Sequence, residues 1–268
     1  MSPEWIIAYL ALGAVVGVMA GMLGIGGGGI IVPILTTIFA AQGIPDEQIV
    51  HLSLGTAMAT IVITATSSIR AHHRHGAVLW PVVWKMAPGV LVGTFCATYL
   101  ASHLSSRALG IFFACFMGYV ALGMFRNLKP KPQRQLPAPP VCALVGAVIG
   151  GISALAAIGG GALTTTFLMW CNTHVRQAIA TSAAVGLPIA VAGTLGYIVN
   201  GLGTEGLPIH SAGFVYLPAV VLIATTSFFT APIGAKLTHT LPGGVVKKTF
   251  AVLLIGLSVK MLFTVFGT

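Results

Sequence analysis

Apolar stretches run through almost the entire chain, and this feature restricts the fold more than any other. Of the 268 residues, 56% are hydrophobic and 6% are charged, whereas a soluble domain carries roughly 25% charged residues. In hydrocarbon every backbone polar group needs a partner inside the protein, so spanning segments fold as helices or closed barrels. The length and composition of the apolar runs predict an all-α integral membrane protein.

Ten apolar segments can be delimited, in two groups of five. They cover residues 6–23, 30–41, 52–69, 79–101 and 108–125, then 141–157, 162–171, 178–199, 212–235 and 249–266. A helix needs about 20 residues at about 1.5 Å each to cross a bilayer. The second segment of each group is too short, which predicts a short broken or re-entrant helix there.

The two groups resemble each other in sequence, since the glycines of the first recur 133 positions later. The matched glycines are Gly13, Gly17, Gly26, Gly27 and Gly28, and then Gly146, Gly150, Gly159, Gly160 and Gly161. Residues 55–76 also align without a gap on residues 180–201, which pairs Thr56 with Thr181. This agreement predicts a duplication, with transmembrane repeats at 1–126 and 140–268 and a basic, proline-rich linker at 127–139.

The charged residues predict how the segments are oriented. If the side that holds the N-terminus is called A, ten of the thirteen basic residues fall on the opposite side, B, and all four acidic residues fall on A. The positive-inside rule makes B cytoplasmic, so the linker is cytoplasmic and both termini are external. Each repeat crosses an odd number of times, so the two repeats are inverted relative to each other. Interrupted helices in inverted repeats are typical of secondary transporters whose substrate site lies near the midplane.

The glycine tracts, Gly26–Gly29 and Gly159–Gly161, interrupt otherwise continuous apolar runs. Glycine disfavours helix, and a turn there lets the following helix direct its free N–H groups and positive dipole end at the break. The two tracts therefore predict a two-sided anion site. The alternative is that the glycines only permit close helix packing, which is our interpretation of Gly13 and Gly17.

The glycine-rich turn GMLGIGGGGIIVPIL, its echo AAIGGGALTTTFL, and the motifs GTAMA and ATSAAVGLP resemble the TauE/SafE family of sulfite exporters and toluene sulfonate uptake permeases. The resemblance runs through nearly the whole chain, including its size, its duplication and its basic linker. It implies a transporter of sulfur-containing anions such as sulfite, sulfonates or sulfoacetate. The second tract departs from the first in having Ala162 where the first has Gly29.

Hydroxyl groups and one cation complete the predicted site. Thr56 and Thr181 are retained between the repeats, Ser182 follows Thr181, and Lys85 is a cation inside an apolar segment. Thr56 belongs to a one-faced stripe of Ser and Thr, which either lines a polar path or bonds back to its own helix. The predicted substrate-binding residues are Gly26, Gly27, Gly28, Gly29, Thr56, Gly159, Gly160, Gly161, Thr181, Ser182 and Lys85.

We therefore expect an exporter that works by alternating access, in a bacterial inner membrane, and not an enzyme. Its expected partners are a small anion, the lipid bilayer and further copies of the chain, without nucleic acid. No cofactor and no metal site are expected, because the cysteines and histidines lack ligand spacing. The alternatives are a carrier of another small anion or of a metal ion, and a membrane subunit that only scaffolds a partner.

Overall fold

A computed structural model describes residues 2–23, 26–126, 135–240 and 243–266. Within these ranges the chain forms ten helices and one short hairpin, and residues 127–134 of the predicted linker lie outside them. The helices are α1 (Pro3–Leu23), α2 (Gly28–Ala41), α3 (Asp46–Arg74), α4 (Trp80–Ser102), α5 (Ser106–Phe125), α6 (Pro139–Leu155), α7 (Gly161–Trp170), α8 (Val175–Asn200), α9 (Leu217–Thr240) and α10 (Gly243–Phe266). Strands β1 (Ser211–Ala212) and β2 (Val215–Tyr216) pair antiparallel.

The structure confirms an all-α integral membrane protein. Among the described residues, five helices are long and apolar enough to cross a membrane. They are Pro3–Met22, Asp46–Arg74, Ser106–Phe125, Val175–Asn200 and Leu217–Gly234. Large apolar side chains also cover the outside of the molecule, among them Trp84, Tyr119 and Phe263. An apolar surface of this extent suits lipid and would make a soluble protein aggregate.

Several predicted boundaries need correction. Helix α3 runs from Asp46 to Arg74 rather than over 52–69, and α10 begins at Gly243 rather than at residue 249. Helix α2 begins at Gly28 rather than at residue 30, so it includes the last two glycines of the first tract and has Pro33 in its second turn. Helix α7 begins at Gly161 rather than at residue 162. The segment predicted over 212–235 begins as the hairpin, and α9 starts only at Leu217. Hydropathy alone does not separate a buried hairpin from the helix that follows it.

Helices α3 and α8 form the centre of the molecule and run antiparallel. A Cβ atom at Gly55 would lie 3.0 Å from the Tyr197 Cβ, and one at Gly193 would lie 3.2 Å from Met58 Cγ. Ile61, farther along α3, packs in one cluster with Ala190. Along these contacts the residue numbers of α8 decrease as those of α3 increase, which is the antiparallel order. These two helices are also the most buried of the candidate spans.

The first helix of each half packs closely and in parallel on a helix of the other half. Helix α1 lies against α9, and α6 lies against α4. A methyl group at Gly13 or Gly17 would overlap Ile223 or Ser227 of α9. Gly146 and Gly150 of α6 are equally close to Met86 and Val90 of α4. These four glycines let the helix backbones approach each other, which is the packing role predicted for Gly13 and Gly17.

Candidate functional site

Each glycine tract forms a left-handed turn that starts a short helix. Gly27, at the N-cap of α2, has φ 77°, and Gly160, at the N-cap of α7, has φ 69°. Gly26 shares this conformation, with φ 79°. Glycine adopts such values without steric penalty. No side chain caps the start of either helix. The first N–H groups of α2 and α7 therefore face the turns without a capping side chain as acceptor.

The two turns meet inside the protein. A Cβ atom at Gly26 would lie 3.4 Å from the Gly159 amide nitrogen and 3.5 Å from Ile61 Cγ2. A Cβ atom at Gly159 would lie 3.1 Å from the same Ile61 atom. The turns therefore touch each other beside the middle of α3, and residues more than a hundred positions apart form one glycine-lined region.

Two further glycines fix how closely the turns approach. A methyl group at Gly28 would overlap the Ala157 carbonyl oxygen, and one at Gly186 of α8 would overlap the Gly159 carbonyl oxygen. Both obstacles are backbone atoms, which cannot rotate away as a flexible side chain can. Gly186 was not among the predicted site residues, because a single glycine within an apolar helix gives no distinctive sequence signal.

The surroundings of the two helix starts differ. A Cβ atom at Gly29 would overlap Met117 of α5 and lie 3.2 Å from Leu254 Cδ2 of α10. The start of α2 is thus fully covered by apolar side chains. At the start of α7, Ala162 and Leu163 are only half-buried. Apolar packing therefore closes the first helix start more than the second.

Thr56 and Thr181 make corresponding hydrogen bonds between the halves. The Tyr216 backbone N–H, just before α9, donates to the Thr56 hydroxyl at 3.0 Å. The Leu79 backbone N–H, just before α4, donates to the Thr181 hydroxyl at 3.0 Å. Both hydroxyls accept these bonds, so each retains its own proton for a further acceptor. The rest of the stripe differs, since Ser53, Thr60 and Thr64 donate to carbonyls of α3 itself.

Ser182 links α7 to α8. Thr165 of α7 donates to the Ser182 hydroxyl at 2.8 Å, and Ser182 donates in turn to the Ile179 carbonyl at 2.8 Å. The neighbouring hydroxyl of Thr164, in the first turn of α7, is buried and has no partner. Thr164 had no distinctive sequence signal beyond its place just after the second glycine tract.

Lys85 lies on the outside of the molecule, away from the buried hydroxyls of Thr56, Thr181 and Ser182. Its side chain is exposed on α4, whereas its neighbours Val83 and Met86 are buried. Among the described residues with assigned burial, no Asp, Glu, Lys or Arg is buried. Any anion at the glycine turns would therefore be held by backbone N–H groups, hydroxyls and helix dipoles rather than by a side-chain charge. The role predicted for Lys85 stays a prediction.

The described part of the chain also holds no group of three or more His, Cys, Asp or Glu side chains placed to bind a metal ion. Among the histidines whose burial the structure describes, His51 alone is buried. The His51 ring bonds to the Ala101 carbonyl and the Ser106 hydroxyl, and it stacks on Phe214. This histidine therefore joins helices in the core.

Comparison with known proteins identifies the family to which this chain is similar. The family profile described as "Sulfite exporter TauE/SafE" matches residues 9–261. The chain is 36% identical over 258 residues to a "Probable membrane transporter protein" of Haemophilus influenzae, covering 96% of this chain and 98% of that protein. Proteins with corresponding names from Methanocaldococcus jannaschii and Bacillus subtilis are 27% and 25% identical, over 86% of this chain and 85% and 89% of theirs. No solved structure matches the chain.

Proposed function

Since the chain belongs to the sulfite exporter TauE/SafE family and is a membrane transporter rather than an enzyme, we propose that it exports small sulfur-containing anions such as sulfite, sulfonates or sulfoacetate. The anion would bind between the two glycine turns, and alternating access would expose it to each side of the membrane in turn. The observation that carries this proposal is the close approach of Gly26 to Gly159, each next to an uncapped helix start.

The helix directions support two inverted repeats. In the sequence alignment α3 and α8 hold corresponding positions, and they cross antiparallel in the core. A twofold axis along the membrane normal would make corresponding helices parallel, whereas an axis in the membrane plane makes them antiparallel. Thr56 bonds to the residue before α9, and Thr181 bonds to the residue before α4, the counterpart of α9 in the first half. This exchange supports a twofold relation between the halves.

The depth of the site follows from this symmetry. Gly26 and Gly159 hold corresponding positions and lie side by side, with room for about one carbon atom between them, so both lie near the twofold axis. An axis that relates inverted repeats runs through the middle of the membrane. We therefore infer that the turns reach the midplane and that α2, with 14 residues, and α7, with 10, each span only part of the bilayer. Transporters of this plan bind substrate at such broken helices.

The chemistry of the turns suits a small oxyanion. Each helix N-terminus acts as about half a positive elementary charge, so two of them supply about one. The amides of the first helical turns are donors, and an oxyanion can accept from them with several oxygens at once. We propose that the retained protons of Thr56 and Thr181 donate to the same anion as it passes along α3 and α8. Because no lysine or arginine is buried among the residues whose burial the structure describes, release toward the other side does not require breaking a strong ion pair there.

The unequal covering of the two helix starts suggests how access alternates. Met117 of α5 and Leu254 of α10 cover Gly29, while α5 is not among the helices packed closely on the described residues of α7. We propose that the α5–α10 pair shifts between these positions. Covering α7 and uncovering α2 would convert one state into the counterpart that the twofold axis relates to it.

The orientation remains as the charges predict, with the linker cytoplasmic and both termini external in a bacterial inner membrane. Assembly with further copies of the chain likewise stays a prediction.

Counterflow of radiolabelled sulfite and methanesulfonate tests the proposal. The purified full-length protein is placed in liposomes preloaded with unlabelled anion, and protein-free liposomes serve as the control. Saturable uptake that unlabelled sulfite or a sulfonate competes away is the expected result. If the protein is correctly folded and no sulfur anion shows saturable flux, the proposed substrate class is wrong.

A further inference from the structure

Thr164 has a buried hydroxyl group without a hydrogen-bond partner, as Thr94 and Ser153 have, and of these three Thr164 alone lies in the first turn of a helix that follows a glycine tract. Its side chain is 0% exposed, and its Oγ1 has no hydrogen-bond partner. Its own backbone N–H donates to the Gly160 carbonyl at 2.9 Å. A Cβ atom at Gly160 would lie 3.3 Å from Thr164 Oγ1. The hydroxyl therefore lies alongside the left-handed glycine at which α7 starts.

This unpaired state is not the ordinary behaviour of a threonine in a membrane helix. Such hydroxyls commonly donate to the carbonyl one turn earlier. Thr166, on the same helix, does so, with its hydroxyl 2.8 Å from the Ala162 carbonyl. A buried hydroxyl without a partner destabilises a protein, so it calls for an explanation such as a ligand that completes its bonding.

We propose that Thr164 is a substrate-binding residue, which donates a hydrogen bond from its hydroxyl to one oxygen of the anion at the start of α7. This inference rests on the proposed function. The two observations behind it are independent of each other: an uncapped helix N-terminus at Gly160, and an unpartnered, fully buried hydroxyl next to it. The amides of the first turn of α7 would hold the other oxygens of the same anion.

The corresponding position in the first half of the chain carries no hydrogen-bond donor in its side chain. The position that corresponds to Thr164 is Ile31, which is 0% exposed and apolar. The start of α2 is in addition covered by Met117 and Leu254. The anion is therefore bound more strongly at α7 than at α2 in this conformation. The hydroxyl needs an acceptor with directed lone pairs, so it favours oxyanions over halide ions.

The test compares three variants of the full-length protein. Thr164→Val removes the hydroxyl at nearly constant shape, Thr164→Ser keeps a hydroxyl, and Thr166→Val is the matched control on the same helix. Equilibrium binding of radiolabelled sulfite and methanesulfonate is measured in detergent, with chloride as a competitor. Thermal melting of each variant is measured without any sulfur anion.

We expect Thr164→Val to weaken binding of both anions roughly 10- to 100-fold, which corresponds to about 1.4–2.8 kcal/mol. Thr164→Ser should restore most of the affinity, and Thr166→Val should bind as wild type does. Without anion, Thr164→Val should melt no lower than wild type, because it removes an unpaired polar group. A threonine with a purely structural role would lose stability and affinity together.

The outcomes separate this inference from the proposed function. If the wild-type protein and the Thr164→Val variant bind a sulfur anion with equal affinity, the hydroxyl does not contact substrate, and the proposed function stands. A Thr164→Val variant that melts markedly lower without anion makes the hydroxyl structural. Absence of saturable binding to the wild-type protein for every sulfur anion overturns the proposed function, and the Thr164 assignment with it.

Discussion

The replacement Gly28→Ala tests whether the close approach of the two turns matters for transport. A Cβ atom at this position would overlap the Ala157 carbonyl oxygen of the other turn. Since non-bonded carbon atoms need about 3.5 Å, the two turns would have to separate by about 1 Å or more. Overpacking of this kind typically lowers the free energy of unfolding by about 1–3 kcal/mol. A displacement of about 1 Å in a functional geometry can reduce a rate by about 100-fold.

The assay is the initial rate of sulfite counterflow in liposomes, with the melting temperature measured on the same preparation. Gly118→Ala is the control, because a Cβ atom at Gly118 of α5 would meet nothing within 4 Å. Alanine within a helix is favoured over glycine by about 0.5–1 kcal/mol, so this control should keep its rate and melt no lower. A Gly28→Ala protein with both rate and melting temperature of the wild type would refute the idea that the turns must touch.

The remaining predictions concern the link between the halves and the orientation. Thr56→Val and Thr181→Val each remove a hydroxyl that accepts a hydrogen bond from a backbone N–H of the opposite half, so each should lower the free energy of unfolding by about 1–3 kcal/mol, and the serine variants should recover most of it. If one valine variant unfolds as wild type does, the two bonds are not equivalent. In a background without the natural cysteines, Ala138→Cys should react with a membrane-impermeant reagent only from the cytoplasm, and Gly203→Cys only from outside. The reverse pattern would contradict the predicted orientation.

The sequence was sufficient to predict the helices of this protein. Ten apolar segments correspond to ten helices over the described residues, because burial in lipid leaves the backbone little choice but to form helix. The turns at Gly27 and Gly160 were also predictable, since consecutive glycines in an apolar run interrupt helix. The starts of α2 and α7 were misplaced by one or two residues, as helix ends usually are.

The contacts between the halves could not be read from the sequence. The bond between Thr56 and Tyr216 joins residues 160 positions apart, and no local pattern identifies its partner. The sequence left open whether the hydroxyls of α3 line a polar path or bond to their own helix. In the structure Thr60 and Thr64 bond to carbonyls of α3, whereas Thr56 accepts from the Tyr216 backbone N–H of the other half. The outward direction of Lys85 depends on how α4 packs, which hydropathy does not determine.

The most direct test of the central claim is to locate a bound anion in the protein. Selenite has the pyramidal oxyanion shape of sulfite, and selenium gives an anomalous X-ray signal, so crystals soaked in selenite reveal its position. We predict one strong peak within hydrogen-bond distance of the first-turn amides of α7, next to Gly160 and Thr164, and its loss when excess sulfite is added. A sulfite-displaceable peak at Lys85 or elsewhere on the surface, with none at the glycine turns, would contradict the account.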